Sequence, residues 1–363
     1  MAKRVSVDGW LFTITLILVF TGLVMVFSAS AVMAKERYGS GYFFLLRQLG
    51  WAAAGLFAMV LAMKIDYRHY KNPAVVFSLL GVTTLALISV FFLDRAHNTH
   101  RWFHLGPLSF QPSEMAKPAL ILFLAYFLES RTQSMKDWRN TVLPAAVPTL
   151  VFIGLIVFQP DLGTAIACAA ITVCVLFVAG LDLRYLGYAF AASLLPLYFL
   201  IFHVAYRRAR ILAFLDPYSD PQGRGFHMIQ SLIAVSTGGI TGVGLMEGKQ
   251  KLFYLPEPHT DFIFAVTAEE LGLVGALVIV ILFAIILWRG IRTALRTQDM
   301  FGRFLAVGIT SMIVVQAFIN ISVVLGLMPT KGIPLPLVSY GGSSLLATLT
   351  CVGVLLNISK QAE

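Results

Sequence analysis

Long apolar segments dominate this chain and limit the folds that it can adopt. Of its 363 residues, 58% are hydrophobic and only 12% are charged, unlike the balance of an ordinary soluble domain. The segments lack the alternation of β-barrel strands, so each predicts a membrane-spanning α-helix. We therefore predict an all-α polytopic membrane protein, one integral domain over residues 1–363 with ten transmembrane helices. These helices are expected at about 9–34, 48–63, 72–93, 113–128, 140–160, 162–181, 185–206, 262–288, 304–330 and 332–359.

The basic residues indicate how these helices would cross the membrane. The chain has 27 Lys and Arg against 18 Asp and Glu. Outside the longest loop, most of the basic residues lie in segments that face the cytoplasm if the N-terminus does. We expect both termini on the cytoplasmic side. Contacts with anionic membrane lipids explain the net charge of +9 without any binding of nucleic acid.

The longest connection, about residues 206–260, separates the seventh and eighth predicted helices on the extracytoplasmic side. Connections of this length are commonly functional. Apolar residues between Phe226 and Ile233 recur at helical spacing and predict a short amphipathic helix on the membrane surface. The glycines at 238–244 lack the lysine and the βαβ context of a nucleotide-binding loop, so we interpret them as flexible packing.

Carboxylates lie at the predicted membrane boundary in P-E-P-H-T-D-F-I-F-A-V-T-A-E-E-L-G, residues 256–272. An ionised group at membrane depth is usually paired or water-facing, and it is a candidate for function. Asp261, Glu269 and Glu270 are therefore the first candidates for chemistry. For Glu269 and Glu270, hydrogen bonding between helices is the main structural alternative.

Two more polar motifs precede the long loop. In R-W-F-H-L-G-P-L-S-F-Q-P-S-E-M-A-K, residues 101–117, Pro112 is suited to a helix start. Glu114 and Lys117 are three residues apart and share a helical face, so they either pair to hold helices together or bind substrate. In Q-P-D-L-G, residues 159–163, Asp161 is better explained as a helix N-cap than as a catalyst.

The last polar motif, T-K-G-I-P-L-P-L-V-S-Y-G-G-S-S, covers residues 330–344 at the start of the final predicted helix. Its prolines, glycines and hydroxyls indicate a broken, re-entrant backbone that lines a cavity. Such irregular backbone is tolerated at membrane depth only where protein or water satisfies it.

Together these four motifs resemble the SEDS family of bacterial proteins of shape, elongation, division and sporulation. The resemblance spans almost the whole chain, and T-K-G-I-P-L-P is more similar to the cell-division members than to the elongation members. It implies a peptidoglycan glycosyltransferase of the bacterial cytoplasmic (inner) membrane that polymerises lipid II on the outer face. The implied partners are a class B penicillin-binding protein, which cross-links the product, and other proteins of the division or elongation complex.

The family's essential acid falls on Asp261, which would be the general base of an inverting transfer with undecaprenyl pyrophosphate as leaving group. Such a transfer needs a base at the nucleophile and positive charge at the leaving group. In a continuous helix Glu269 would lie about 12 Å along the axis from Asp261. That exceeds the roughly 5 to 9.5 Å of glycosidase carboxyl pairs, so Glu269, Glu270 and Asp161 are expected to give structural support. The expected substrate-binding residues are Arg101, Glu114, Lys117, Gln159, Arg210, His259, Thr260, Lys331, Ser339, Tyr340 and Ser343.

Other interpretations stay open. A divalent cation, Mg²⁺ or Mn²⁺, that bridges Asp261 and a pyrophosphate is one, although three clustered ligands at a metal-binding spacing are absent from the sequence. A lipid II flippase is another, because ten helices with buried charge also describe many carriers. The third is a non-catalytic scaffold that positions the class B penicillin-binding protein.

Overall fold

A computed structural model describes residues 7–94, 101–105, 108–131 and 137–362, which are mainly helical. The helices are α1 (Gly9–Tyr38), α2 (Phe43–Lys64), α3 (Pro73–Leu93), α4 (Pro112–Glu129), α5 (Leu143–Phe158), α6 (Leu162–Val178), α7 (Leu183–Phe202), α8 (Ala205–Leu215), α9 (Phe226–Thr237), α10 (Ile263–Arg296), α11 (Met300–Val324) and α12 (Gly342–Gln361). Short helical turns lie at Tyr67–Lys71, Trp138–Val142 and Pro217–Ser219. A small antiparallel hairpin, β1 (Phe103–Leu105) and β2 (Leu108–Phe110), precedes α4.

The prediction of an all-helical membrane protein is confirmed. Within the described ranges, eight helices are long and apolar enough to span a membrane: α1, α2, α3, α5 with its preceding turn, α7, α10, α11 and α12. The fourth and sixth predicted spans correspond to α4, which carries Glu114 and Lys117, and to α6, which has only 17 residues.

The bounds of the last two predicted spans were wrong. α11 ends at Val324, α12 begins at Gly342, and residues 325–341 between them are not helical. Three prolines, Pro329, Pro334 and Pro336, fall in this stretch. Proline disfavours helix both at its own position and at the residue before it, which a count of apolar residues overlooks. The irregular backbone expected within residues 330–344 is therefore present as far as Gly341.

Aspartate and asparagine side chains begin several of the helices. Asp161 accepts a hydrogen bond from the backbone N–H of Thr164 (3.1 Å), so its predicted role as the N-cap of α6 is confirmed. Asp8, Asn72 and Asp299 cap α1, α3 and α11 in the same way. Each such cap satisfies one of the N–H groups that a helix start leaves without a partner.

The long loop contains two helices. The one predicted near Phe226–Ile233 is α9, which packs on α10 and α11, and Ser231 of α9 donates to the carbonyl of Val324 (2.8 Å). α8 was not predicted, because its arginines interrupt the apolar periodicity. The loop therefore lies folded against the helical bundle.

Two of the glycines at 238–244, Gly238 and Gly242, pack closely against the backbone of α10, whereas the space around Gly239 is open. The packing expected of these glycines is therefore present at two positions. α10 breaks at Gly272, which has a φ of 64°, a conformation that favours glycine. The N–H of Val243 and the N–H of Gly244 donate to the carbonyls of Glu269 (3.0 Å) and Glu270 (3.1 Å) just before the break. A Cβ on Gly242 would lie 2.1 Å from the Glu270 oxygen, so only glycine allows this close approach.

Candidate functional site

Asp261 lies in the turn that precedes α10, at the junction of two cavities. The central cavity, of about 570 Å³, and the lateral cavity, of about 310 Å³, share Asp261, Glu257 and Gly332. Asp261 lines both cavities and is partly exposed as a residue, whereas the first residues of α10 behind it are buried. The acid can therefore contact molecules in either cavity.

The central cavity has a mixed aromatic and polar lining that comes from elements distant in sequence. α2, the hairpin, the start of α6 and the segment from Gly332 to Ser344 all contribute. Among the residues predicted to bind substrate, this lining includes Arg101, His259, Thr260, Tyr340 and Ser343.

The lateral cavity lies between α8, α9 and the segment before α12, with Arg210, Arg224, His227 and Lys331 in its wall. A third cavity, of about 140 Å³, joins the two regions, since Arg101, Asp161, Arg210 and Lys331 line it as well. Apolar side chains of α7 and α8, including Leu197, Ile201 and Ile211, complete the wall of this third cavity. It thus combines positive charge with an apolar surface.

The side chain of Asn320, on α11, fixes the backbone at Asp261. Its Nδ2 donates to the carbonyl oxygens of Asp261 (2.8 Å) and Ile333 (2.7 Å) and so joins the turn before α10 to the segment before α12. The neighbouring Gly332 contacts the carboxyl group itself: a Cβ at this position would lie 3.0 Å from Asp261 Oδ2. Glycine thus leaves room for the carboxyl group where the two segments meet.

A second set of hydrogen bonds joins the same two segments. Ser339 Oγ donates to the carbonyl of Thr260 (2.6 Å), and the N–H of Tyr340 donates to the carbonyl of His259 (2.9 Å). Gln48 of α2 donates to the carbonyl of Ser339 (3.2 Å). Ser339 is itself buried and does not line the cavities, so in this structure it positions the backbone next to Asp261.

The pKa of Asp261 is raised from 3.8 to about 7, mainly by burial and secondly by the carboxylate of Glu257, while Arg210 opposes the rise. Burial disfavours the charged form of an acid, and a nearby like charge has the same effect. A carboxyl group with a pKa near 7 is well suited to accept a proton at neutral pH.

His259, which was expected to bind substrate, is a buried residue of the site. Its ring packs against Phe44 (centroids 4.5 Å apart) and Tyr340 (5.6 Å). Burial lowers its pKa to about 4, with a further contribution from Arg37, so the imidazole is neutral at pH 7. Within the described ranges its Nδ1 atom has no hydrogen-bond partner, although the residue lines the central cavity.

Three of the basic residues predicted to bind substrate lie in the region where the cavities meet. The guanidinium of Arg101 donates to the carbonyls of Gln159 (2.8 Å) and Pro160 at the end of α5. Arg210 is exposed on α8, and burial lowers the pKa of Lys331. All three residues line the third cavity, so this cavity is where positive charge concentrates.

Glu114 and Lys117 form the predicted pair, with 2.9 Å between Lys117 Nζ and Glu114 Oε2, and both are buried. Lys117 also donates to Gln316 (2.7 Å), whose own amide donates to the carbonyl of Pro334 (3.1 Å). Neither charged residue lines a cavity of the site, so the geometry matches the structural alternative. Gln159 is likewise fully buried and donates to the carbonyl of Leu87 (2.9 Å).

Glu269 and Glu270 hold the long loop against the bundle. Glu269 accepts from the backbone N–H groups of Lys249 (2.8 Å) and Gln250 (3.2 Å). Glu270 pairs with Lys251 (2.7 Å) and accepts from Ser28 of α1 (2.7 Å). The expected bond between helices therefore exists for Glu270, whereas Glu269 bonds to the loop instead.

Several residues of the site were missed by sequence reasoning. Glu257 lies in the same motif as Asp261 and could have been found there. Arg224, His227 and Asn320 carry no local signal, because only folding brings them near Asp261. In the part of the chain that the structure describes, no three His, Cys, Asp or Glu residues group closely enough to hold a metal ion. A divalent cation at this site would therefore have to be held by Asp261 together with the pyrophosphate of a bound substrate.

The sequence is similar to that of known bacterial proteins over nearly its full length. Residues 9–363 match the cell cycle protein family FtsW/RodA/SpoVE. The probable peptidoglycan glycosyltransferase FtsW of Geobacter metallireducens is 46% identical over 345 residues, 94% of this chain and 92% of that protein. Stage V sporulation protein E of Bacillus subtilis is 43% identical over 362 residues, 99% of both chains.

Solved structures show the same fold. A chain of a peptidoglycan synthase complex that coordinates polymerization and crosslinking has a TM-score of 0.81 at 35% identity, and the match covers 98% of both chains. The rod shape determining protein RodA of Thermus thermophilus has a TM-score of 0.72 at 30% identity, over 98% of this chain and 97% of that one. The chain therefore belongs to the FtsW/RodA/SpoVE family of cell cycle proteins, the SEDS family, and resembles FtsW.

Proposed function

We propose that this chain is a peptidoglycan glycosyltransferase that polymerises lipid II, with Asp261 as its general base. The observation that carries the proposal is the position of Asp261: its carboxyl group, with a pKa of about 7, lies where two cavities meet. The central cavity can hold a sugar acceptor, and the lateral cavity can hold the sugar of the lipid-linked donor. The activity named for the FtsW relatives supports this reaction.

In the proposed reaction, the 4-hydroxyl of the acceptor attacks C1 of the donor sugar. The bond between C1 and the pyrophosphate oxygen breaks as the new glycosidic bond forms, and Asp261 accepts the hydroxyl proton. Inversion at C1 converts an α-linked donor into a β-linked glycan. Undecaprenyl pyrophosphate leaves with the electron pair of the broken bond, so it needs positive charge more than it needs an acid.

Arg101, Arg210 and Lys331 supply that charge in the proposed mechanism. They line the third cavity together with apolar side chains of α7 and α8, which suits a pyrophosphate attached to a lipid chain. His259, Thr260, Tyr340 and Ser343 line the central cavity, where they would contact the acceptor. The proposed mechanism uses no second catalytic acid. Glu269 has a structural role instead, because its carboxylate accepts hydrogen bonds from the loop backbone.

We further infer ten crossings of the bacterial inner membrane, with α4 and α6 added to the eight longer apolar helices. Asp8, at the start of α1, donates through its N–H to Ser359 near the end of α12 (3.4 Å), which supports placing both termini on one side. The bias of basic residues supports a cytoplasmic location for that side and an outer-face location for Asp261. The synthase complex among the similar structures supports a partnership with a class B penicillin-binding protein.

The decisive experiment measures polymerisation of lipid II by the purified complex of this chain with its class B partner. Asp261→Ala should lower the rate by about 10²- to 10⁴-fold or more, the range of general-base catalysis. Co-purification with the partner and the melting temperature should not change. Glu247→Ala, which removes an exposed acid of the same loop, should polymerise normally.

Two outcomes would contradict the proposal. Normal glycan synthesis by the Asp261→Ala complex would assign polymerisation to the partner and make this chain a scaffold. Translocation of labelled lipid II across vesicles that contain only this chain, unchanged by Asp261→Ala, would instead favour a flippase.

A further inference from the structure

An arginine-lined cavity of about 150 Å³ lies at the end of the bundle opposite Asp261. The start of α1, the last turns of α10 and the end of α12 enclose it. Arg289 lies about 25 Å along α10 beyond the break at Gly272, whereas Asp261 lies on the other side of that break, just before the helix begins. This volume is roughly five times the volume that one molecule occupies in liquid water, so the cavity has room for a small tetrahedral anion. This cavity is separate from the proposed catalytic site.

The cavity holds more positive charge than negative. Arg289, Arg292 and Arg296 follow one another at intervals of three and four residues, so they share a face of α10. Arg289 pairs with Asp8, with 2.6 Å between Nη2 and Oδ2, and the other carboxylate oxygen of Asp8 caps α1. Arg292 and Arg296 form no ion pair among the described residues. Like charges on one helical face are unfavourable, and a bound anion would relieve their repulsion.

Neighbouring side chains place the cavity at the depth of lipid headgroups. Trp288 is 60% exposed, and its ring lies 5.7 Å from the guanidinium of Arg289 and 6.0 Å from that of Arg292. Tryptophan concentrates at the interface between membrane and water. Val278 and Ile281, which are 48% and 53% exposed, form an apolar surface on the same face of α10, on the membrane side of the arginines. A lipid could therefore reach the cavity from the side while its acyl chains stay in the membrane.

We propose that this cavity binds the phosphate group of an anionic phospholipid. Arg292 and Arg296 donate hydrogen bonds to the phosphate oxygens, and the acyl chains extend into the membrane along Val278 and Ile281. Guanidinium groups suit this role because they bind phosphate through paired N–H donors and keep their charge. Basic pockets between helix ends at the cytoplasmic membrane surface are well suited to such headgroups.

The test is retention of lipid by the full chain. Nanodiscs of phosphatidylcholine with a minor fraction of cardiolipin would be prepared, and lipids that remain bound after release into mild detergent would be identified by native mass spectrometry. The wild type should retain cardiolipin in preference to phosphatidylcholine. The double variant Arg292→Gln/Arg296→Gln should bind it roughly thirtyfold more weakly, since each arginine near an anionic lipid strengthens binding by about fivefold.

A matched control is Lys64→Gln/Arg184→Gln, which removes two charges from the ends of other helices and leaves the cavity intact. It should retain cardiolipin as the wild type does, and Arg292→Lys/Arg296→Lys should retain it in part. If the control lost cardiolipin to the same extent, the lost retention would be due to surface charge in general, and the proposal would be overturned. Retention of cardiolipin by Arg292→Gln/Arg296→Gln would also overturn the proposal. So would a wild type that inorganic phosphate stabilises through these arginines but that does not retain cardiolipin. Melting temperatures in pure phosphatidylcholine nanodiscs check that the variants fold.

Discussion

Replacing Glu257 by glutamine should lower the pKa of Asp261. Burial is the main cause of the value of about 7, and the charge of Glu257 is the next largest contribution that raises it. Glu257 is exposed, so solvent screens its charge. Two charges a few ångströms apart interact by about 1 kcal/mol in water, and one pKa unit is about 1.4 kcal/mol, so we expect a decrease of about 0.7 units.

The sign of the effect on the rate follows from the role of the base. Asp261 accepts a proton only as the carboxylate, so kcat/KM should rise with pH and level off above a pH of about 7. With a pKa of about 7, about one-tenth of the molecules carry the carboxylate near pH 6 and about nine-tenths near pH 8. A decrease of about 0.7 units raises the first fraction to about one-third. The ratio of kcat/KM at pH 6 to kcat/KM at pH 8 should therefore be about 0.1 in the wild type and about 0.3 in Glu257→Gln.

The assay is the initial rate of lipid II polymerisation by the purified complex, with penicillin present to block crosslinking. Comparing the two pH values within each variant removes differences in the plateau rate. Glu247→Gln, an exposed acid of the same loop that lines neither cavity, is the matched control and should keep the wild-type ratio. A wild-type ratio in Glu257→Gln, or an equal change in Glu247→Gln, would refute the assignment of Asp261 as the titrating base.

Two further predictions concern positions near the site. Gly332→Ala should lower kcat roughly three- to tenfold with little effect on the melting temperature, because the added Cβ would displace the Asp261 carboxyl group. The control is Gly154→Ala, which should not change kcat because the space around Gly154 is open. Lys117→Met should destabilise the protein by about 3–5 kcal/mol, since it leaves Glu114 buried without its partner. Thermal unfolding checks this, and a Glu114→Gln/Lys117→Met variant less stable than the single variant would contradict it.

Local features of the sequence predicted much of the architecture. Apolar length identified the membrane helices, the spacing of three residues identified the Glu114–Lys117 pair, and an aspartate before an apolar run identified the Asp161 cap. Each of these depends on residues close together in the chain, whose geometry the helix itself defines. The resemblance of the motifs added the family and selected Asp261 from the three candidate acids.

Only the tertiary structure decided how Asp261 is surrounded. Asn320 and Gly332 come next to it from distant parts of the chain, and the cavities exist only where α2, α6, α8, α9 and the segment before α12 converge. The pKa of the acid depends on this burial, which no local pattern encodes. The same is true of the arginine cavity, where Asp8 meets Arg289 from the far end of the sequence. Apolar patterning determines which segments become helices, whereas the packing of those helices determines which polar groups meet.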